Sequence, residues 1–140
     1  MTTSAQVFLD ANVLVYALDE TNARYVDVVT HIQRLLDEAV TLCTFHYVIK
    51  EVLHIARQIG NTSVSEAVKE IGNIPTLVLI EPDATLAFAE RYAVLSDKMN
   101  MGVNDALLLQ LMLDAGIVRL FSYDKQFISR AASLGIEQVV

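Results

Sequence analysis

Asp10, Glu51, Asp105 and Asp124 sit where the local pattern gives a carboxylate a chemical use. Asp10 follows Val7-Phe8-Leu9 and Asp124 follows Leu120-Phe121-Ser122-Tyr123, apolar runs that read as strands. In open parallel sheets ligands bind beyond the carboxyl ends of the strands, so an acid directly after a strand is placed for ligand chemistry. Asp also caps the following helix at such a position, and both readings stand. Glu51 borders the stripe Val48, Ile49, Val52, Ile55 and Ala56 of a helix expected from about His46 to Gln58, which turns its carboxylate at least half toward the protein. An ordinary boundary glutamate or a salt bridge is the alternative there. Asp105 shares a helix face with Leu108, Leu109 and Met112, where an uncompensated charge is avoided. Its place in the first turn also suits a dipole-favoured anion, with Asn104 or Asp105 as a cap.

If the sheet is doubly wound, Asp10 and Asp124 emerge at one edge, and the helices bearing Glu51 and Asp105 start from that edge. Four carboxylates meeting there would repel one another and raise their own pKa values unless a cation intervened. An oxygen-only cluster selects a hard divalent ion, Mg²⁺ or Mn²⁺, that keeps positions open for a phosphate. Other chemistries find less support. His31, His46 and His54 show no zinc spacing, the glycines build neither a Walker A nor a G-x-G-x-x-G loop, and no G-x-S-x-G elbow supports a serine nucleophile.

The elements that must position these acids follow from hydrophobic patterning. Val7 to Leu9, Val40 to Thr44, Thr76 to Ile80, Val118 to Tyr123 and Ile136 to Val140 are short, unbroken and β-branched, and read as buried strands. Between them, Tyr25, Val28, Val29, Ile32, Leu35 and Leu36 form one helical stripe, and Val64, Ala67, Val68 and Ile71 another. The second opens on the capping box Ser63-Val64-Ser65-Glu66 and ends near Gly72-Asn73. Alternating strands and helices predict a three-layer α/β/α sandwich around a central parallel sheet of about five strands. Ser96 to Gly102, polar with a glycine, is the loosest stretch, and no repeat or linker divides the chain.

A chain of 140 residues suits one domain spanning 1–140, large enough to bury roughly 68–70% of its unfolded surface without a disulfide or structural metal. The 54% hydrophobic fraction and mean hydropathy of +0.42 exclude a disordered chain and predict a subunit interface, most simply a homodimer. No apolar run is long enough to span a bilayer, and no basic segment precedes an apolar one at the N-terminus. With Cys43 as its one cysteine, read as a buried thiol, the protein is expected to be cytoplasmic. A net charge of −7 argues against a general nucleic-acid binder, so a phosphate ligand must be met by a local basic patch or a metal.

The stretch from Val7 through Asp10 and Asn12 to Ala17, then Glu51 in Val48-Ile49-Lys50-Glu51-Val52-Leu53, Asn104-Asp105-Ala106, and Phe121-Ser122-Tyr123-Asp124-Lys125-Gln126-Phe127, taken in order, resembles the PIN-domain family over essentially the whole chain. It is similar in particular to the small stand-alone VapC-type toxins of toxin–antitoxin pairs. The resemblance implies an endoribonuclease dependent on one or two Mg²⁺ or Mn²⁺ ions, with Asp10, Glu51, Asp105 and Asp124 as the acidic quartet and metal ligands. It implies hydrogen-bond support from Asn12 and Ser122, and a small antitoxin as partner. The family usually carries Ser or Thr after its first Asp, whereas Ala11 stands here, so that hydroxyl is missing. Arg24, Lys98, Lys125 and Arg130 are the basic residues available to an RNA substrate, each equally readable as a solvated charge.

Two rival classes remain. A haloacid-dehalogenase-like phosphatase also places an Asp after its first strand, but needs a second Asp two positions on as general acid, where Asn12 stands. A catalytically inactive PIN-like module would use its apolar surface for RNA binding or assembly.

Overall fold

The computed structural model describes residues 5–60, 62–83 and 85–140. Strands β1 (Gln6–Leu9), β2 (Thr41–Phe45), β3 (Val78–Ile80), β4 (Arg119–Phe121) and β5 (Glu137–Gln138) form one parallel sheet in the order β3-β2-β1-β4-β5. Helices α1 (Ala11–Leu18), α2 (Tyr25–Asp37), α3 (His46–Ile59), α4 (Val64–Gly72), α5 (Leu86–Met99), α6 (Val103–Ala115) and α7 (Lys125–Ser133) fill the crossovers. The chain enters at the centre, steps outward through β2 to β3, then crosses back to β4 and β5. With right-handed connections, that reversal places α1 to α4 on one face and α5 to α7 on the other. Contacts of α1 with α2, α3 and α4, and of α5 with α6, follow this division. The result is the expected α/β/α sandwich, and it opens a crevice at the carboxyl ends of β1 and β4, where the winding reverses.

The central strands are buried on both faces, which is why they read as unbroken apolar runs. Val7, Phe8, Leu9, Leu42, Cys43 and Phe45 are fully buried, and the Phe8 and Phe45 rings stack with centroids 5.2 Å apart. Burial pushes the Cys43 thiol up to about 12, so this cysteine packs rather than reacts. The capping box predicted for α4 is present on its first side: Ser63 Oγ accepts from Glu66 N at 3.1 Å.

Three expectations are corrected. The run Ile136 to Val140 is not a buried strand: β5 is a short edge strand, Glu137 is exposed, and Val140 beyond it is 48% exposed. The same holds for the run Thr76 to Ile80: β3 lies at the opposite edge of the sheet, with Val78 and Leu79 each 46% exposed. Its β-branched composition suits pairing with β2, and an edge strand can have that composition without core contacts. Nor is Ser96 to Gly102 a loose loop. Ser96–Met99 close α5, whose inward stripe Phe88, Tyr92, Leu95 and Met99 runs at helical spacing. Asn100, in the left-handed region at φ 49°, ends that helix, and Ser96 Oγ donates to the Met101 carbonyl at 2.6 Å, tying down the turn.

Candidate active site

Asp10 ends β1 and caps α1, so the cap reading and the ligand reading describe one residue in two roles. Its backbone N–H donates to the Phe121 carbonyl at 3.1 Å, stitching the end of β1 to β4. Its Oδ1 accepts from Ala11 N at 2.8 Å. Oδ2 accepts from Ser122 Oγ at 2.6 Å and from Asn12 Nδ2 at 3.4 Å. Asn12 also donates to Ser122 Oγ at 3.3 Å and accepts from Tyr123 N at 3.1 Å. The Ser122 hydroxyl in turn accepts from Asp124 N at 3.1 Å, so Asn12 and Ser122 link the first and last acids through one network. Asp124 caps α7 with Oδ1, which accepts from Gln126 N and Phe127 N, both at 3.1 Å.

Gln138 is a participant that the sequence analysis missed. Its side-chain amide accepts from Ser122 N at 3.2 Å and donates to the Ser122 carbonyl at 2.7 Å. Strand β5 thereby clamps the peptide that presents the hydroxyl. A lone Gln in a two-residue strand carries no sequence signal of this kind.

Glu51 and Asp105 come from the helices on either side of the crevice. Gly102 caps α6, so neither Asn104 nor Asp105 does; Asp105 Oδ2 instead lies 3.1 Å from Arg130 Nη1 on α7. Asn104 accepts from the Tyr47 hydroxyl at 2.8 Å, joining the starts of α3 and α6. Glu51 makes no hydrogen bond or ion pair among the described residues. All four acids, with Asn12 and Asn104, line one cavity of about 430 Å³.

Electrostatics in the cavity oppose ionisation of Asp10 and Glu51. Burial raises the Asp10 pKa above its ordinary value; the Ser122 and Ala11 hydrogen bonds pull it down, and Asp124 and Asp105 push it up again. Glu51 is raised by burial, then by the charges of Asp10 and Asp105. The donor set is all oxygen and short of counter-charge, which fits a hard divalent cation. The side chains do not form a ready cage: among the described residues no three Asp, Glu, His or Cys groups stand close enough to hold an ion. Repulsion among the carboxylates, and the pairing of one of them with Arg130, are in keeping with that spacing. The fit is therefore one of chemistry and location.

Of the basic residues singled out, Arg24 lies with its guanidinium 4.6 Å from the Tyr123 ring centroid and 6.0 Å from that of Tyr16, which lines the cavity. Arg130 is the partner of Asp105, and Lys125 opens α7 beside Asp124. Lys98 lies in the last turn of α5 and lines none of the acidic cavity. His31 pairs with Asp27 at 3.3 Å and packs edge-on against Phe121, away from any ligand role.

A family model described as PIN domain matches residues 7–133. No curated protein matches the sequence. Among solved structures, the chain resembles VapC20 of Mycobacterium tuberculosis, a sarcin–ricin loop cleaving toxin, with a TM-score of 0.67 and 17% identity over 93% of this chain and 95% of that one. It also resembles VapBC2 from Rickettsia felis bound to a promoter DNA fragment, with a TM-score of 0.64 and 18% identity over 95% and 96% of the two chains. VapBC-1 from nontypeable Haemophilus influenzae gives a TM-score of 0.64 and 14% identity over the same shares. At these identities the likeness is one of fold.

Proposed function

The chain belongs to the PIN-domain family, and from that premise we propose that it is an endoribonuclease dependent on Mg²⁺ or Mn²⁺, acting as the toxin of a VapC-type toxin–antitoxin pair. One observation carries the reading: Asp10, Glu51, Asp105 and Asp124, from four separate elements, line a single cavity at the reversal point of the sheet. These four would hold one or two ions. Bound there, such an ion would neutralise the carboxylates and lower the pKa of the attacking water.

The chain's own groups divide the remaining work. Ser122, Asn12 and the Ala11 N–H fix the orientation of the Asp10 carboxylate, and the α7 cap does the same for Asp124. Glu51, its oxygens free of hydrogen bonds among the described residues, would hold an ion and orient the water beside it. Arg130, against Asp105, and Lys125, next in the chain after Asp124, would supply positive charge toward a phosphate. Exposed apolar residues, Val78 and Leu79 on β3 and Leu86 and Val94 on α5, support self-association or cover by an antitoxin.

The inactive-module reading draws on the Arg130–Asp105 pair, which supplies Asp105 with a counter-charge of its own. The phosphatase reading loses ground, because Asn12 spends both ends of its amide on Asp10, Ser122 and Tyr123 and has no acidic proton to give. Calorimetric titration with Mn²⁺, together with cleavage of RNA by the purified protein, decides among them. We expect saturable Mn²⁺ binding and metal-dependent cleavage, both lost in Asp10→Asn and Asp105→Asn. Cleavage that survives both substitutions overturns the assignment of the site.

A further inference from the structure

Beside the acidic cavity runs a second, more open groove of about 540 Å³, lined by Tyr47, Lys50, His54 and Arg57 of α3 and continuous with the first through Glu51 and Asn104, which line both. We infer that this groove is the track for the unpaired RNA strand, with Lys50 and Arg57 on its phosphates and Tyr47 under a base. The inference rests on the nuclease reading for the direction in which the strand runs, toward the carboxylates.

Charge and placement together single the groove out. The chain has ten Lys and Arg against 17 Asp and Glu, so most cations are expected to find an acid. Arg34, Lys69, Arg91, Arg119 and Arg130 do so. Arg24, Lys50, Arg57, Lys98 and Lys125 form no ion pair among the described residues, and of these five Lys50 and Arg57 line the groove together. Positions 50, 54 and 57 are spaced four and three apart, so their side chains rise from one face of α3 as a stripe. Two unneutralised cations along one wall of a groove that ends in an acidic cavity form a local inversion of the potential, which attracts a polyanion where the rest of the surface repels it.

Tyr47 distinguishes the kind of polyanion. It is 37% exposed, yet its hydroxyl is anchored on Asn104 Oδ1 at 2.8 Å, so the ring is held as a fixed platform where the groove meets the cavity. A fixed, exposed aromatic beside backbone-reaching cations is the arrangement that binds unpaired nucleotides, one base stacking while the phosphates run past. A duplex offers no free base face to it. An acidic peptide would gain the cations but meet Glu51 and the carboxylates beyond.

The test measures binding of the full chain to a labelled, unstructured oligouridylate of about a dozen nucleotides by fluorescence anisotropy, with chelator present to prevent cutting. Lys50→Ala with Arg57→Ala should weaken binding at least tenfold and lower the slope of log affinity against log salt by about 1.4, since each lost phosphate contact on a single strand removes about 0.7. Tyr47→Phe, which keeps the ring but loses its anchor on Asn104, should weaken binding only about 2- to 3-fold, whereas Tyr47→Leu should lose about 5- to 100-fold with little change in salt slope. Unchanged affinity and slope in the double variant, equal competition by duplex RNA, or absence of wild-type binding at low salt each overturns the track. Metal-dependent cleavage is measured separately on the same proteins. If oligouridylate binds with the expected variant effects and no RNA is cut, the nuclease reading fails while the track stands.

Discussion

The Ser122 hydroxyl donates a 2.6 Å hydrogen bond to Asp10 Oδ2 across 112 positions of chain. This contact closes the site: it joins the residue ending β1 to the loop after β4, and it offsets part of the desolvation that raises the Asp10 pKa. Because Ser122 also accepts from Asp124 N, one hydroxyl sets the position of the carboxylates at both ends of the sequence.

Replacing Ser122 with Ala should therefore act on structure and chemistry together. Asp10 keeps only the long Asn12 contact on that oxygen, and Asp124 N loses its acceptor. The expected loss of stability is about 1–3 kcal/mol, read by urea denaturation. Cleavage should fall about 10- to 100-fold. The Asp10 pKa should rise further, moving the acid limb of the pH–rate profile to higher pH. An unmoved limb would show that Asp10 is not the group that titrates there.

The pH dependence of stability in the metal-free protein follows from Asp10 and Glu51. Both pKa values lie above their ordinary values of 3.8 and 4.5, so the folded protein holds these protons more tightly than the unfolded chain. Their contribution is full below the unfolded values and lost as pH rises through the raised folded ones. With chelator present, Glu51→Gln should raise the urea midpoint near neutral pH and flatten its decline between about pH 4.5 and neutrality. A midpoint lower than wild type at neutral pH would show that Glu51 has a counter-charge instead.

Much of this site could be read from residue order, and the parts that could not have identifiable reasons. Asp10 and Asp124 were legible because an acid after a buried strand is conspicuous, and their capping roles were legible for the same reason. Glu51 and Asp105 stood out as charges on apolar helical faces. The Arg130–Asp105 pair depends on how α7 lies against α6, and the Gln138 clamp on the edge position of β5; both are tertiary facts without a local pattern. Lys50 and Arg57 were not among the basic residues the sequence singled out, because only the groove against Asn104 and Val64 gives them a common surface. The misreading of β3 arose because strand propensity reports pairing as readily as burial.

Away from the site, Arg91 Nη2 on α5 lies 2.8 Å from Asp114 Oδ2 on α6. Burial works to raise the Asp114 pKa, but hydrogen bonds from Arg91 and Gln110 outweigh it and hold the carboxyl below its ordinary value. The pair's stabilisation is thus present above pH 3.8 and lost as pH falls through the lowered value. Both side chains are more than a third exposed, so a double-mutant cycle of Arg91→Gln and Asp114→Asn should give a coupling of about 0.2–1 kcal/mol at neutral pH. The coupling should shrink in high salt. A salt-independent value would show that the coupling does not come from screened attraction between the two charges.

On the proposed function, Arg130 presents the sharper competition, because its guanidinium and a divalent ion would make claims on one carboxylate. It lies 3.1 Å from Asp105 Oδ2, with the two side chains 22% and 31% exposed, so the pair is better shielded than the one at Asp114. In the metal-free protein Arg130 lowers the energy of the very charge that an ion must take over. Arg130→Gln should then destabilise the metal-free protein while raising its Mn²⁺ affinity, by on the order of tenfold if the pair contributes about 1.4 kcal/mol. Calorimetric titration gives the affinity, and urea denaturation with chelator gives the stability. Cleavage at saturating Mn²⁺ should nevertheless decline, since a cation flanking the phosphate is gone. If Mn²⁺ affinity falls instead, Arg130 orients Asp105 for the ion and does not compete with it.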